Sequence, residues 1–575
     1  MNPAFQETLV RVRERLLAER GAHGHWEGEL SSSALSTATA VIALALVDRG
    51  QHAALIQRGL AWLTAHANAD GGWGDTVLSR SNISTTTLCW AAFGLLNKPA
   101  PAAEAWLVRE AGSVEPEQLA QTIIAGYGKD RTFSVPILTA CALAGRVAWK
   151  DVLPLPFELT VLPHQLFRWL RLPVVSYALP ALIAIGQVRH HHLPERRWLR
   201  DGVRAATLRV LEKIQPVNGG FLEAAPLTSF VVMALAGMGQ GRHPVAVRGV
   251  RFLVKSVRAD GSWPIDTNLA TWLATLAVNA LGPVLPVAER APIGDWLLGQ
   301  QYRNEHPFTH AAPGGWAWTD LPGGVPDADD TAGALLALKT LDADERGLNT
   351  DAIQKGIGWL LDLQNRNGGM PTFCKGWGAL PFDRSTPDIT AHALRAWAVW
   401  RDDMPPPLQG RIKRATRRAI AFLTQTQRAD GAWSPLWFGN QHAPNDENLT
   451  CGTAQVLLGL QALNDPQTQG LQDRAMDWLL AAQNSDGSWG GATQTPPSIE
   501  ETALAVNTLA VVPRARDAVL RGVDWLIAAT AQGRETPAAP IGLYFAKLWY
   551  FERLYPLIFL VGALERVATF PALEK

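Results

Sequence analysis

Three aspartates within four residues are the most distinctive chemical feature of this sequence. Asp327, Asp329 and Asp330 lie in the segment PDADDTAGAL, residues 326–335, which contains no Lys or Arg. Burial and like charge both raise the pKa of an aspartate, so at least one of three buried carboxyls should keep its proton. A neutral carboxylic acid beside an apolar cavity is what the protonation of an unactivated alkene requires. The simpler alternative is an exposed acidic loop that caps a helix at Thr331.

A repeated sequence pattern predicts the elements that must position these acids. In each copy an aromatic–Leu pair is followed by a polar turn with Gly that usually ends in an aromatic residue; the copies are 58–73, 248–263, 355–370, 417–433 and 474–489. Gly after Asp or Asn tolerates the positive φ that ends a helix, and a helix rich in small residues follows each turn. Alternating outer and inner helices predict an all-α fold of two α/α toroid barrels, with one long solenoid as the alternative.

The positions of the copies divide the chain into two regions. One group of repeats lies early in the chain and the other late, and residues 131–186 form a Pro-rich, repeat-poor stretch between the early copies. We therefore predict an N-terminal barrel of residues 25–258, inserted into a C-terminal barrel of residues 1–24 and 259–575. The three aspartates fall in the C-terminal barrel.

The composition excludes several classes of protein. Lys plus Arg number 52 and Asp plus Glu number 52, so the chain lacks the basic charge of many nucleic-acid binders, and we expect no nucleic-acid partner. Charged residues make up only 18% of the chain, which indicates a lipid-facing patch or an apolar cavity. Distant cysteines and an N-terminus without a signal-peptide core lead us to expect a cytoplasmic protein. No apolar run reaches the roughly 20 residues that span a bilayer, so we expect at most peripheral membrane contact.

Several stretches of the sequence resemble the squalene-hopene cyclases, which are class II triterpene cyclases. Residues 314–338 (GGWAWTDLPGGVPDADDTAGALLAL) are similar to the family's catalytic segment, and residues 385–397 (STPDITAHALRAW) to the segment that carries the histidine partner of its acid. The repeat turns resemble the family's QW repeats, while residues 130–145 and 153–163 resemble its N-terminal barrel. The resemblance covers residues 24–562 and implies two α/α barrels.

The resemblance implies roles for three carboxyl groups and one histidine, and helical spacing adds a fourth carboxyl. Asp329 matches the general acid, and Asp327 and Asp330 match its flanking aspartates. His392 matches the histidine that hydrogen-bonds the acid; as an imidazolium it would orient the proton and stabilise the carboxylate left behind. Asp388 precedes His392 by four residues, on the same helix face, and could keep the ring charged.

The resemblance also implies the wall of a substrate cavity, where aromatic faces would stabilise carbocations. Asp266 matches a further acidic member of the network. The aromatic residues matched to the cavity are Trp318 and Trp437. The C-terminal aromatic residues that lie where the family places cavity tyrosines and phenylalanines are Tyr544, Trp549, Tyr550, Phe551 and Tyr555. Two departures, Ile265 where a cavity tryptophan is common and Ala225 where a glutamine is associated with quenching by water, leave the ring count and the terminating step open.

We therefore predict a cyclase of the squalene-hopene type. It would protonate a terminal alkene of squalene, or of a similar isoprenoid lipid, and drive polycyclisation to a hopanoid-like product. The residues after the acid differ from the DCTAE segment of oxidosqualene cyclases, which favours an alkene over an epoxide. No metal or organic cofactor is implied, peripheral membrane association is expected, and a homodimer stays open.

Three alternatives remain open. A class II cyclase of a shorter prenyl diphosphate would need a basic pocket, commonly with magnesium, for which Arg384 and Lys375 are candidates. A protein prenyltransferase β-type subunit would share the barrel but would need zinc held by Asp, Cys and His, and Asp446 and Cys451 lack that family's short spacing. The third alternative is a non-catalytic toroid that binds lipids or proteins.

Overall fold

The computed structural model describes residues 3–128, 131–163, 165, 178–195, 197–307, 309–342, 350–373, 382–543 and 546–569, and most of these residues are helical. The helices are α1 (Pro3–Ala18), α2 (Ala34–Asp48), α3 (Ala53–Ala65), α4 (Ile83–Leu95), α5 (Pro101–Ala111), α6 (Pro116–Tyr127), α7 (Arg131–Leu143), α8 (Leu179–His192), α9 (Arg197–Ile214), α10 (Ala225–Gly237), α11 (Pro244–Ser256), α12 (Ala270–Leu281), α13 (Val287–Gly299), α14 (Ala328–Leu341), α15 (Thr350–Leu363), α16 (Pro387–Trp400), α17 (Pro406–Thr426), α18 (Leu449–Leu463), α19 (Gln469–Ala481), α20 (Ile499–Leu509), α21 (Arg516–Ala529) and α22 (Tyr555–Ala568). The short strands are β1 (Ser32–Ser33), β2 (Trp263–Pro264), β3 (Ile541–Leu543) and β4 (Leu548–Tyr550); β1 pairs with β2 and β3 with β4, both antiparallel. Among the described residues, no helix has both the length and the apolar character needed to cross a bilayer.

Six inner helices close a ring in the C-terminal part of the chain, which we call the C-terminal ring. Helices α12, α14, α16, α18, α20 and α22 pack against one another in that order, and α22 packs back against α12. Helices α13, α15, α17, α19 and α21 form an outer layer, to which α1 adds itself by packing on α22.

Among the described residues, five inner helices close a second ring, which we call the N-terminal ring. Helices α2, α4, α7, α8 and α10 pack in that order and α10 returns to α2, while α3, α5, α6, α9 and α11 lie outside them. The predicted fold class, two all-α toroids, is confirmed. The domain limits at residues 25 and 258 stay a prediction.

The inner helices are enclosed by other helices, and their sequences explain how. Every residue of α2 from Ala34 to Leu44 is buried, and the small side chains of this stretch let neighbouring helices approach closely. Polar side chains cap the inner helices: Ser33 accepts the amide hydrogen of Ser36 at the start of α2, and Asn82 accepts that of Thr85 at the start of α4. Each such cap typically contributes about 1 kcal/mol.

The turn of most repeats is fixed by a tryptophan. The indole of Trp489 donates to the carbonyl of Leu479 at 2.7 Å, and its backbone amide donates to Thr502 Oγ1 at 3.0 Å. The indole bond satisfies a carbonyl at the end of an outer helix. Equivalent bonds to a leucine ten residues earlier are made by Trp26, Trp73, Trp263 and Trp433. Gly487 has φ 94°, and a Cβ there would lie 2.7 Å from the carbonyl oxygen of Arg521, so the turn needs glycine.

Strand β4 connects the two rings. The amide of Trp549 donates to Asp75 Oδ2 at 2.7 Å, and Asp75 is buried in the N-terminal part of the chain. The amide of Ser31 donates to the carbonyl of Phe551 at 2.8 Å, and the amide of Phe551 donates back to Ser31 Oγ at 3.2 Å. These bonds fix β4, which carries cavity residues, relative to both rings.

Candidate active site

A cavity of about 610 Å³ is lined by residues of both rings. The part lined by the N-terminal ring is mainly aliphatic and Pro-rich, whereas the part lined by the C-terminal ring carries acids and most of the aromatic rings. No Lys, Arg or His occurs among the described residues that line it. Its volume lies within the roughly 300–1,000 Å³ of small-molecule pockets.

The three aspartates lie at the start of α14 and all line the cavity. Asp327 is the N-cap residue: its Oδ1 accepts the amide hydrogens of Asp329 and Asp330, both at 2.9 Å. The amide of Asp327 in turn donates to the carbonyl of Trp316 at 3.0 Å, so the turn of a repeat fixes the start of the acidic helix.

Burial changes the protonation of two of these aspartates. It raises the pKa of Asp327 to about 7, and together with the charge of Asp327 it raises the pKa of Asp330 well above its usual range. Within the part of the chain that the structure describes, Asp330 Oδ1 has no hydrogen-bond partner. Asp330 therefore holds its proton more strongly than an exposed aspartate does.

His392 and Asp329 form a close pair across two adjacent inner helices. His392 Nδ1 lies 2.6 Å from Asp329 Oδ1, although the two residues are 63 positions apart. The side chains are 10% and 24% exposed, so Asp329 is the more accessible member of the pair. The rings of Trp272 and His392 are arranged edge to face, with their centroids 6.0 Å apart.

Asp388 does not bond to the histidine in the way its spacing suggests. Its Oδ2 accepts the amide hydrogen of Leu436 at 3.0 Å, and its Oδ1 has no partner among the described residues. Burial raises the pKa of Asp388 to about 6. Its predicted role of keeping His392 charged therefore has no direct contact to support it, although Asp388 lies at the same end of the inner ring as Asp329.

Asp266 lines the cavity and is tied to a predicted aromatic residue. Its Oδ2 accepts the indole hydrogen of Trp318 at 3.0 Å, and its Oδ1 accepts the amide hydrogen of Thr267 at 2.7 Å. Burial, and then the charge of Glu223, raises the pKa of Asp266 well above its usual range.

Trp318 and Trp437 lie in the cavity wall, as the resemblance implied, at the two ends of a contiguous set of rings. The centroid of Trp318 is 6.1 Å from that of Phe373, Phe373 is 5.3 Å from Phe382, and Phe382 is 5.4 Å from Trp437. These four rings offer an extended π surface beside the acids.

Trp549 and Phe551 lie outside the cavity wall, in contrast to the prediction. Along β4 the side chains alternate between the two faces, and Leu548 and Tyr550 are the ones that line the cavity. Trp549 is instead buried behind the strand. The prediction placed aromatic residues by sequence position and ignored that successive side chains of a β-strand point to opposite faces.

Seven aromatic residues of the cavity wall were missed in the sequence: Tyr127, Phe133, Phe230, Trp272, Phe373, Phe382 and Phe438. The indole of Trp272 donates to the hydroxyl of Tyr555 at 3.0 Å, which fixes both rings. No sequence motif marks them, because each reaches the wall through the packing of separate segments. Tyr550 and Tyr555, which the resemblance placed among the candidate cavity residues, do line the cavity.

Among the residues that the structure describes, the candidates for other chemistries do not line this cavity. Arg384 is exposed and is not part of the wall, while Lys375 and Tyr544 lie outside the described residues. Asp446 pairs with Lys547, and Cys451 is buried against Ala454 and Leu504. Within the described ranges, no three His, Cys, Asp or Glu side chains come together as a possible metal site.

Two toroids that enclose an apolar, acid-bearing cavity are the architecture of a class II terpene cyclase, and comparison with known proteins agrees. The chain aligns over 99% of its length, and of the other chain's, with ent-copalyl diphosphate synthase from Streptomyces platensis, at a TM-score of 0.54 and 19% sequence identity. At this identity the similarity shows the fold alone.

Residues 9–178 match the squalene-hopene cyclase N-terminal domain and residues 270–568 match the squalene-hopene cyclase C-terminal domain. The chain belongs to the squalene-hopene cyclase family. It is 25% identical to the squalene–hopene cyclase of Alicyclobacillus acidocaldarius, over 91% of both chains. It is 28% identical to a terpene cyclase-glycosyl transferase fusion protein of Humicola fuscoatra over 91% of this chain, but it spans about half of that relative, 46% of its length.

Proposed function

We propose that the protein is an intramolecular cyclase, an isomerase-type enzyme, that acts on a long neutral isoprenoid such as squalene. The observation that carries this proposal is the Asp329–His392 pair at the wall of an apolar cavity lined by aromatic rings. In this reaction a terminal alkene takes a proton from Asp329, ring closures follow, and the last cation loses a proton or captures water to give a hopanoid-like product.

The geometry of the pair supports the acid step. With Nδ1 protonated, His392 donates to Oδ1 of Asp329, so the transferable proton of a neutral Asp329 belongs on Oδ2. The π electrons of the alkene form the new C–H bond, and the O–H electrons stay on Asp329 as a carboxylate. That carboxylate is then stabilised by the charge-assisted bond from His392.

The cavity wall supports the steps that follow. Carbocations are attracted to the faces of aromatic rings, and the four rings from Trp318 to Trp437 line the same cavity as the acids. The apolar remainder of the wall excludes water, which would otherwise capture the cation before ring closure is complete.

The charge of the wall favours a hydrocarbon over a prenyl diphosphate. A diphosphate needs cationic partners, and the described wall carries four aspartates and no Lys or Arg. Even with Asp330 and Asp266 neutral, such a wall has no favourable partner for a highly charged anion. The diphosphate alternative is therefore less well supported and becomes one arm of the test.

We also propose peripheral attachment to a membrane from the cytoplasmic side, since the substrate is insoluble in water. Four exposed apolar residues occur on segments that pack together: Val161, Leu162, Leu193 and Trp198, the last being 85% exposed. Such a patch suits contact with a lipid surface. Flotation of the protein with phosphatidylcholine vesicles, lost on Trp198→Glu, is the expected result; retention of the variant on the vesicles would contradict this attachment site.

The decisive experiment is product analysis with matched substrates. The purified protein is incubated separately with squalene and with geranylgeranyl diphosphate, each with and without magnesium, and the lipid extract is analysed by mass spectrometry. We expect cyclic isomers of squalene, or their hydrates, that form without magnesium and are absent with Asp329→Asn. Cyclisation of the diphosphate alone would overturn the proposed substrate, and binding of squalene without any product would indicate a lipid-binding toroid.

A further inference from the structure

A strained turn lies directly behind the acidic wall. Leu222 and Glu223 are consecutive non-glycine residues with φ values of 55° and 52°. This left-handed conformation is unfavourable for both residue types and persists only where the surrounding structure holds it. Leu222 lines the cavity, whereas Glu223 is fully buried and is not part of the wall.

The carboxyl of Glu223 collects hydrogen bonds from three separate segments. Its Oε1 accepts from the amide of Gly323 and from Asn218 Nδ2, both at 2.6 Å, and its Oε2 accepts from Thr267 Oγ1 at 3.1 Å. The left-handed backbone therefore directs a side chain into a position where three donors converge.

Two of these three segments lead directly to the acids. Gly323 lies four residues before Asp327, the cap of the acidic helix α14. Thr267 follows Asp266, and its amide donates to the carboxyl of Asp266, which also holds the indole of Trp318.

The fit at Gly323 is tight as well. A Cβ at this position would lie 2.5 Å from Glu223 Oε1 and 2.7 Å from the carbonyl oxygen of Gly220. The loop can therefore approach Glu223 only as glycine, and the contact can be broken from either side.

We infer that Glu223 is a positioning residue that fixes the loop before Asp327 and the Asp266–Trp318 pair against the cavity. The inference rests on the proposed function, because it assigns Glu223 to the same site. Its structural claim concerns the three hydrogen bonds of the Glu223 carboxyl, which we call the tether. Glu223 touches neither substrate nor Asp329; it acts through Gly323 and Thr267.

Three variants test the tether through steady-state kinetics. Glu223→Ala removes all three bonds, and Gly323→Ala breaks the loop contact from the other side. We expect both to lower kcat by about 10- to 100-fold with little change in KM, since a small misplacement of reacting groups has an effect of this size. Glu223→Gln should restore most of kcat, because its amide oxygen can accept from Gly323 and its NH₂ can donate to Thr267 Oγ1.

Hydrogen exchange supplies a readout that does not depend on turnover. We expect the amides of residues 319–327 to exchange faster in Glu223→Ala than in the wild type, and at the wild-type rate in Glu223→Gln. The matched control is Glu565→Gln, which disturbs a buried carboxyl of α22 that pairs with Arg13 of α1. The control should lower Tm without changing kcat or exchange at 319–327.

The outcomes separate the tether from the proposed function. Wild-type kcat in Glu223→Ala, or unchanged exchange at 319–327, would overturn the inference, as would a Glu223→Gln variant as impaired as Glu223→Ala. If the wild type converts no isoprenoid, the proposed function fails, and faster exchange in Glu223→Ala still supports the tether. If Glu223→Ala does not fold, the comparison of Gly323→Ala with Glu223→Gln, in kcat and in exchange at 319–327, tests the inference instead.

Discussion

Two pairs of neighbouring carboxyl residues begin inner helices of the C-terminal ring, and only one pair is equipped for chemistry. Asp329 and Asp330 begin α14, and Glu500 and Glu501 begin α20. Burial raises a pKa in both pairs, that of Asp330 well above its usual range and that of Glu500 to about 8. By protonation alone the two pairs look alike.

Access and partners distinguish them. Asp329 is 24% exposed towards the cavity and is bonded to His392, whereas Glu501 is buried and its Oε1 accepts from the amides of Asn440 and Asn448. Neither glutamate lies in the cavity wall. A raised carboxyl pKa is therefore a consequence of this ring's architecture, and a candidate acid is recognised by an opening to the cavity together with a histidine.

Replacement of the acid should have the largest effect. Asp329→Asn keeps the shape of the side chain but removes the transferable proton, so we expect turnover of squalene to fall by about 10⁴-fold or more. The measurement is product formed per enzyme in a single-turnover assay, with folding checked by circular dichroism.

The matched control is Glu501→Gln, an equally conservative change at the other acidic helix. Turnover should remain at the wild-type level, because this carboxyl faces asparagine amides and has no access to the cavity. Loss of activity in both variants would show that the two helices share one function, against the distinction drawn above.

Replacement of His392 should have the next largest effect on turnover. His392→Ala leaves Asp329 without its partner, and we expect kcat to fall by about 10²-fold, within the range of a positioned acid–base group. His392→Asn should lose less, because the asparagine NH₂ can replace Nδ1 as the donor to Asp329. Equal losses in the two variants would argue against this hydrogen bond as the cause.

A smaller effect is expected in the aromatic wall. Trp437→Leu removes a ring face at the end of the four-ring set, and a cation–π loss of about 1–2 kcal/mol corresponds to roughly tenfold in rate. Trp437→Phe should retain most of the rate, and the product pattern should shift towards incompletely cyclised material only in the Leu variant. Trp549→Phe, behind β4, is the control and should change neither rate nor products.

The sequence contained enough to predict the scaffold and the acid segment. The tryptophan that ends most repeats lies ten residues after a leucine because its indole closes the outer helix, so a local pattern encodes the turn. The aspartates of α14 are likewise recognisable, because a helix cap and a charge cluster coincide within four residues.

The parts that the sequence did not predict depend on contacts between distant segments. Phe373 and Phe382 line the wall from positions nine residues apart, and Glu223 meets Gly323 across 100 positions. The face of β4 depends on a strand register that only the hairpin defines, and this is why Trp549 and Phe551 were misplaced.

The weakest expected effect concerns stability alone and separates the two acidic helices once more. Glu500 has a pKa of about 8 in the folded protein, against an ordinary value near 4.5, so the folded state holds a proton that the unfolded state loses as pH rises from about 4.5 to 8. Its stabilising contribution is thus complete below that interval and is lost across it. Glu500→Gln cannot ionise and still offers an oxygen to the amide of Ala539, so we expect its Tm to match the wild type at pH 4.5 and to exceed it by a few degrees at pH 8.5.

Asp351→Asn, at an exposed carboxylate paired with Lys355, is the control, and its small difference in Tm should stay independent of pH. A Glu500→Gln difference that does not grow with pH would mean that this carboxyl titrates in the folded protein as it does in the unfolded chain.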